Sequence, residues 1–121
     1  TLVLWVLGNL LQIIGGITMC MGRYSLGKEA NLLIGIEKDH KLVTNGPYHI
    51  IRHPIYAGTI FLCLGYALSF SSIISAFILL LVFIPWFIKR MTLEEKLLLQ
   101  TFGDEYLEYM KHTKRLIPLL Y

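Results

Sequence analysis

The chain has 121 residues, room for one domain. Hydrophobic residues make up 55% of it and charged residues 16%, against about 25% charged in an average soluble domain, so the composition excludes an ordinary water-exposed globule. The formal charge is +3, and the two cysteines, Cys20 and Cys63, both lie in apolar runs and read as inert core thiols, with no spacing that suggests a disulfide framework or a metal site.

The first apolar run, Leu2 to Met21, holds no charged residue, and only Asn9, Gln12 and Thr18 are clearly polar. About 20 apolar residues cross a hydrocarbon core as a helix, so a span is predicted over residues 2–21. The run lacks the basic leader and small-residue cleavage site of a signal peptide. Without an initiator Met, the sequence reads as the C-terminal part of a longer chain. Gly8 and the Gly15-Gly16 pair permit close helix approach, either within the chain or between copies.

The connector from Arg23 to Pro54 contains Gly27, Gly35, Gly46, Pro47 and Pro54, with charges spread through it. It is too polar to cross a membrane and too punctuated to be one helix. Loops of this length often carry function. Asn45-Gly46-Pro47 is a turn signal, and Pro54 suits the first turn of a following helix.

Two further apolar runs, over residues 55–70 and 73–88, are separated by Ser69, Ser71 and Ser72. So tight a turn predicts an antiparallel helical hairpin in the bilayer. After Ile88, the residues Leu98, Phe102, Tyr106 and Tyr109 recur at helical spacing. They predict amphipathic helices interrupted at Gly103, with Asp104 as the N-cap of the second, lying on the bilayer or over the connector. Every Lys and Arg falls in Arg23–Arg52 or Lys89–Arg115. Basic segments mark the cytoplasmic side; three spans satisfy this, with the turn at Ser71 outside.

Two polar clusters flank the hairpin, Gly46–Tyr56 before it and Arg90–Glu95 after it. The returning hairpin brings them together, and ionisable groups at a membrane boundary are functional candidates. Each residue also has a plain structural reading. Arg52 and Lys89 suit headgroup anchors, Arg90 and Glu94 a helix ion pair, and His53 an idle helix-start histidine. Combination and spacing favour a site.

The run from His40 to Gly58 resembles the signature of the isoprenylcysteine carboxyl methyltransferase family. It contains His-x-Leu-Val at His40–Val43, Gly-x-Tyr at Gly46–Tyr48 and Arg-His-Pro-x-Tyr at Arg52–Tyr56. The run Arg90 to Pro118 is similar too, with its Arg, paired Glu, Phe-Gly-Asp-Glu-Tyr, second Tyr and terminal Arg-Leu-Ile-Pro, and Leu26-Gly27 resembles the family's Leu-Gly element. Phospholipid N-methyltransferases share part of the pattern, and sterol reductases share it more distantly.

With the span pattern, the resemblance implies an all-α, polytopic helical membrane protein. Three transmembrane helices, a cytoplasmic cofactor loop and C-terminal amphipathic helices would form a single methyltransferase domain over residues 1–121. The implied cofactor is S-adenosyl-L-methionine, held by His40, Lys41, Leu42, Val43, Tyr48, His53, Pro54, Ile55 and Tyr56. Arg90 matches the substrate-side arginine, and Glu94 or Glu95 the cofactor-side carboxylate. On a helix Glu94 lies roughly 40° from Arg90 and Glu95 roughly 140°, so Glu94 shares the arginine's face; the likeness does not choose between them. Leu32–Asp39 does not reproduce the family's usual polar contact, and no site residue is assigned there.

The implied reaction is methyl esterification of a prenylated cysteine or similar lipidic carboxylate, at an active site facing the cytoplasm. The implied partners are lipidic or prenylated substrates and membrane lipids, not nucleic acid. The alternatives are methylation of a phospholipid amine and, from another class, a non-catalytic small membrane protein. Charge is neutralised as a methyl passes from a sulfonium to a carboxylate, which a low-dielectric boundary favours. The protein's work is then positioning rather than covalent or metal catalysis.

Overall fold

The computed structural model describes residues 1–27, 42–118 and 120–121. Among these residues the chain is helical apart from turns and one isolated bridge between Ile51 and Lys114. Helix α1 spans Leu2–Leu26, α2 Pro54–Ser69, α3 Ile73–Phe102 and α4 Asp104–His112. A single 3₁₀ turn, Gly46–His49, precedes α2.

Helix α1 is longer than the predicted run of 2–21, ending where Gly27 adopts a φ of 53° and donates its N–H to the Arg23 carbonyl. It packs against α2 along a seam of glycines. Gly8, Gly15 and Gly22 recur every seven residues on α1, as do Gly58 and Gly65 on α2, and all five are buried. A Cβ at Gly15 would lie 2.6 Å from the Gly58 carbonyl oxygen, and one at Gly58 would lie 2.6 Å from that of Gly15. The backbones therefore meet directly, as small residues allow where the apolar effect cannot drive helices together. Gly8 and Gly15 thus pack within the chain, whereas Gly16 faces open space. Near the far end, the Gln12 and Asn9 amides donate to the Ser69 hydroxyl at 3.0 and 3.4 Å.

Pro54 opens α2 as expected, with its missing N–H falling among the first-turn donors that have no helical partner. The turn Phe70–Ser72 uses a left-handed Ser71 (φ 50°), and the Ser72 hydroxyl accepts from the Ser75 N–H at 3.1 Å to start α3. Helix α3 does not stop at Ile88, where the apolar run ends. It continues to Phe102, giving 30 residues and a length of about 45 Å. A π-helical turn at Leu79–Phe83 widens it just before Pro85. Proline has no N–H and crowds the carbonyl four residues back, which such a turn relieves.

Helices α1 and α3 are long and apolar enough to cross a membrane; α2, with 16 residues, is apolar but shorter. The outer faces of α1 and α3 are exposed hydrophobic surface, with Ile74 at 74% and Leu81 at 71% exposure. About 20 residues fill a hydrocarbon core, so α3 beyond Lys89 projects past the apolar stretch. Cys20 is exposed on α1, not a core thiol. Gly103, not Asp104, caps α4: with φ 57° it ends α3 by donating to Leu99 and starts α4, leaving Asp104 and Glu105 in the first turn, where negative charge suits the helix dipole.

Candidate active site

The start of α2, the projecting part of α3 and the segment after α4 converge on two adjacent carboxylates. Extended backbone makes the first connection. The Arg52 N–H donates to the Lys114 carbonyl at 2.7 Å, and the His53 N–H donates to the Arg115 carbonyl at 3.0 Å. Residues 52–53 are thereby fixed against the C-terminal tail before α2 begins.

Glu95 is buried at the centre. Its Oε1 accepts from Arg52 Nε at 2.8 Å and from His53 Nε2 at 3.0 Å. Its Oε2 accepts from Arg115 Nε at 3.1 Å and Nη2 at 2.8 Å. Four donors fill both oxygens, about the full acceptor capacity of a carboxylate. Burial alone pushes this carboxyl up, but the hydrogen bonds from His53, Arg52 and Arg115 overcome it and hold the group at about 2. Arg52 also donates Nη1 to the Thr113 and Met110 carbonyls at 2.7 and 3.3 Å. It is thus a part-buried cross-link rather than a headgroup anchor.

Glu94 has a different environment. Its Oε1 accepts from the Tyr56 hydroxyl at 2.5 Å and pairs with Arg90 Nη2 at 3.6 Å. Its Oε2 lies 3.9 Å from His53 Nδ1, too far for a hydrogen bond. One oxygen of Glu94 is therefore uncommitted among the described residues. Arg90 is half-exposed, its guanidinium 5.5 Å from the centre of the Trp86 ring. Tyr56 sits between His53 and Phe87, with ring centres 5.9 and 5.4 Å away.

Tyr48 is buried beside this cluster, and its carbonyl accepts from the Tyr109 hydroxyl at 2.6 Å. Burial pushes the Tyr48 phenol up to about 12, with Glu94 adding to the rise and Arg23 opposing it. Burial also raises the Tyr109 and Tyr106 phenols. All three stay neutral, and among the described residues the Tyr106 hydroxyl has no hydrogen-bond partner.

Of the residues singled out in the sequence, the fold brings together Tyr48, His53, Tyr56, Arg90, Glu94 and Glu95. Pro54 is fully buried in the helix seam, and a Cβ at Gly22 of α1 would lie 3.0 Å from Ile55 and 3.2 Å from Pro54; both serve helix packing. Leu42 lines an open cavity of about 690 Å³ with Thr44, His49, Tyr109, His112 and Thr113, next to the cluster. Val43 is half-buried in the same extended stretch. His40 and Lys41 lie outside the described residues. The sequence likeness includes Arg115 in its terminal Arg-Leu-Ile-Pro but gives it no site role, and nothing in the sequence pointed to Thr113; both reach the cluster from the tail.

The cluster suits a small cation and an anion side by side. Glu94 offers a free carboxylate oxygen among neutral phenols, and Arg90 offers an accessible guanidinium one helical turn away.

Comparison with known proteins shows what the chain is similar to. The phospholipid methyltransferase family model matches residues 3–105. Protein-S-isoprenylcysteine O-methyltransferase of Schizosaccharomyces pombe is 33% identical over 111 residues, covering 84% of this chain and 47% of that protein. Form B of that enzyme from Arabidopsis thaliana is 34% identical over 115 residues, covering 93% and 58%. The Saccharomyces cerevisiae enzyme is 33% identical over 117 residues, covering 95% and 49%. The chain spans about half the length of these curated relatives. With the family model running from the first turn of α1 into α4, this polypeptide belongs to the phospholipid methyltransferase family.

Proposed function

We propose that the chain is the catalytic part of a multi-pass membrane methyltransferase that esterifies the carboxylate of a prenylated cysteine or a similar lipidic acid, using S-adenosyl-L-methionine. The observation that carries this reading is the pairing of an uncommitted Glu94 oxygen with an exposed Arg90 guanidinium on one face of α3. The names of the relatives point to the same acceptor.

S-adenosyl-L-methionine, when bound, supplies a methyl group on a positively charged sulfur. Glu94 would attract a cation of this kind, and its Oε1 is already fixed by Tyr56 and Arg90. Tyr48 and Tyr56 give the cation aromatic walls. Arg90 would take the acceptor carboxylate by its planar fork, stacked on Trp86. Glu94 and Arg90 would thus hold the donor and the acceptor carboxylate side by side, so that the methyl group the donor supplies lies within reach of an acceptor oxygen. No proton moves and no covalent enzyme intermediate forms. The aromatic series Phe83, Phe87 and Tyr56 runs from the apolar part of α3 to the cluster and suits the lipidic part of an acceptor.

In this reading α1, α2 and α3 all cross the bilayer. Both basic segments and the cluster face the cytoplasm, where the charged donor is available, and His40 and Lys41 of the connector complete the cofactor site. Phospholipid amine methylation is the second reading, favoured by the description of the family model. A cation at Arg90 does nothing for an amine acceptor and repels a protonated one, which ranks carboxyl methylation first.

The test uses the complete protein in membranes, with labelled donor, a prenylcysteine analogue and phosphatidylethanolamine. The expected result is methyl incorporation into the prenylcysteine alone, in a base-labile ester. Arg90→Lys keeps the charge but loses the fork; turnover should fall by about tenfold, equivalent to ~1.4 kcal/mol, with donor affinity nearly intact. Methylation of the amine lipid alone, or an unchanged Arg90→Lys enzyme, refutes the acceptor assignment. No donor binding at all refutes the methyltransferase reading.

A further inference from the structure

His53 is held in a way that cofactor contact alone does not explain. A half-turn of a histidine ring about its Cβ–Cγ bond puts ring carbons where Nδ1 and Nε2 were, at little cost unless a partner fixes one of the nitrogens. Here the buried ring lies between two carboxylates of the same helix. Nε2 is 3.0 Å from Glu95 Oε1, and Nδ1 is 3.9 Å from Glu94 Oε2. The carboxylate of Glu95 only accepts, so Nε2 carries the hydrogen of that bond. Glu95 is fixed in turn from both sides. Arg52 holds the oxygen that His53 uses, and Arg115 grips the other with two nitrogens. Arg115 also donates Nη1 to the Tyr121 hydroxyl at 3.3 Å and lies 5.9 Å from the centre of that ring. Its own carbonyl takes the His53 backbone N–H. One tail residue therefore secures both the main chain and, through Glu95, the side chain of His53. It lies beyond the stretch that the family model matches.

We propose that Glu95 and Arg115 are positioning residues for His53, setting its ring so that Nδ1 rather than the ring carbon Cδ2 faces Glu94 and the ligand. The proposal rests on the methyltransferase reading only for the identity of that ligand. Glu95 itself touches no reactant, because its oxygens are filled; it acts through the ring. Arg115 acts one step further away, through Glu95. Around His53, the groups that bear on the ring are Arg52 beside it, Tyr56 on α2, and Glu94 and Glu95 on α3.

The experiment uses the complete protein in lipid nanodiscs with nitrogen-15 histidine. His53 is assigned by the signal lost in His53→Ala. Two readouts are taken: the protonation of its ring nitrogens without ligand, and the Kd of labelled S-adenosylmethionine. The wild type should show a protonated Nε2. In Glu95→Gln the amide offers a donor as well as an acceptor, so the His53 signal should shift or split. Arg115→Ala should raise the Kd by about tenfold, the scale of a lost charge-assisted hydrogen bond. Arg115→Lys should recover part of that loss, and turnover at saturating donor should change less than the Kd. A wild-type Nε2 without its proton overturns the proposal, as does a His53 signal identical in all variants. Should Arg115→Ala fail to fold, the wild-type and Arg115→Lys spectra still decide. Absence of donor binding in the wild type would count against the methyltransferase reading, while the ligand-free spectra would still test the positioning.

Discussion

Adjacent glutamates in α3 have opposite fates, and the difference comes from their neighbours. Helical spacing set Glu94 on the face of Arg90 and sent Glu95 to another, and the 3.6 Å contact between Arg90 and Glu94 follows that geometry. What Glu95 would meet was not legible, because Arg52 and Arg115 lie 43 and 20 residues away and no local pattern joins them. The same distance hid the role of Arg115, although the terminal Arg-Leu-Ile-Pro belongs to the sequence likeness. Glu95 also gives the fold a pH dependence. Its folded-state value of about 2 lies below the ordinary 4.5, so the deprotonated form is favoured by folding. That stabilisation is complete above pH 4.5 and is lost as pH falls toward 2; it amounts to on the order of a few kcal/mol. Thermal unfolding in detergent between pH 6 and pH 3 should show the melting temperature falling steeply in the wild type and less in Glu95→Gln. Parallel curves would show that the node does not govern acid stability.

At the scale of elements, the glycine seam turns a sequence property into a distance. Gly8 and the Gly15-Gly16 pair signalled close approach, but not which partner they approach; the matching Gly58 and Gly65 on α2 answer that. Gly58→Leu drives side-chain atoms into the α1 backbone, and overpacking of this kind costs about 1–3 kcal/mol. Gly16→Leu, facing open space, should be nearly neutral. Heat-induced aggregation in detergent compares the two, and equal losses would mean that the seam is not what holds α1 to α2. The helix ends were less legible than the helices. The run ending at Ile88 marks where side chains become polar. The backbone hydrogen bonds of α3 are indifferent to that change and stop only at Gly103, whose φ is 57°. The Ser71 turn and the Pro54 start were readable because serine, glycine and proline act locally.

Across the described residues, the basic side chains and the Ser-rich turn divide between two ends. With both basic segments cytoplasmic, a cysteine at Ser71 should react with an impermeant thiol reagent on intact cells, in a background lacking Cys20 and Cys63, and one at Glu105 should not. The opposite labelling would invert the orientation.

Helix α3 also has a mechanical meaning. One helix of 30 residues, widened by a π-helical turn, carries an exposed apolar stretch at one end and Arg90, Glu94 and Glu95 at the other. A rod in a thinner or thicker bilayer changes its tilt, and here the lever arm would be the reaction site, while the start of α2 stays tied to the tail by Arg52 and His53. Acyl-chain length would thereby tune the rate through the spacing between Tyr56 and Glu94, with no lipid touching the site. Turnover in vesicles of short-, medium- and long-chain phosphatidylcholine should pass through a maximum, and a flat response would show the rod uncoupled from membrane thickness.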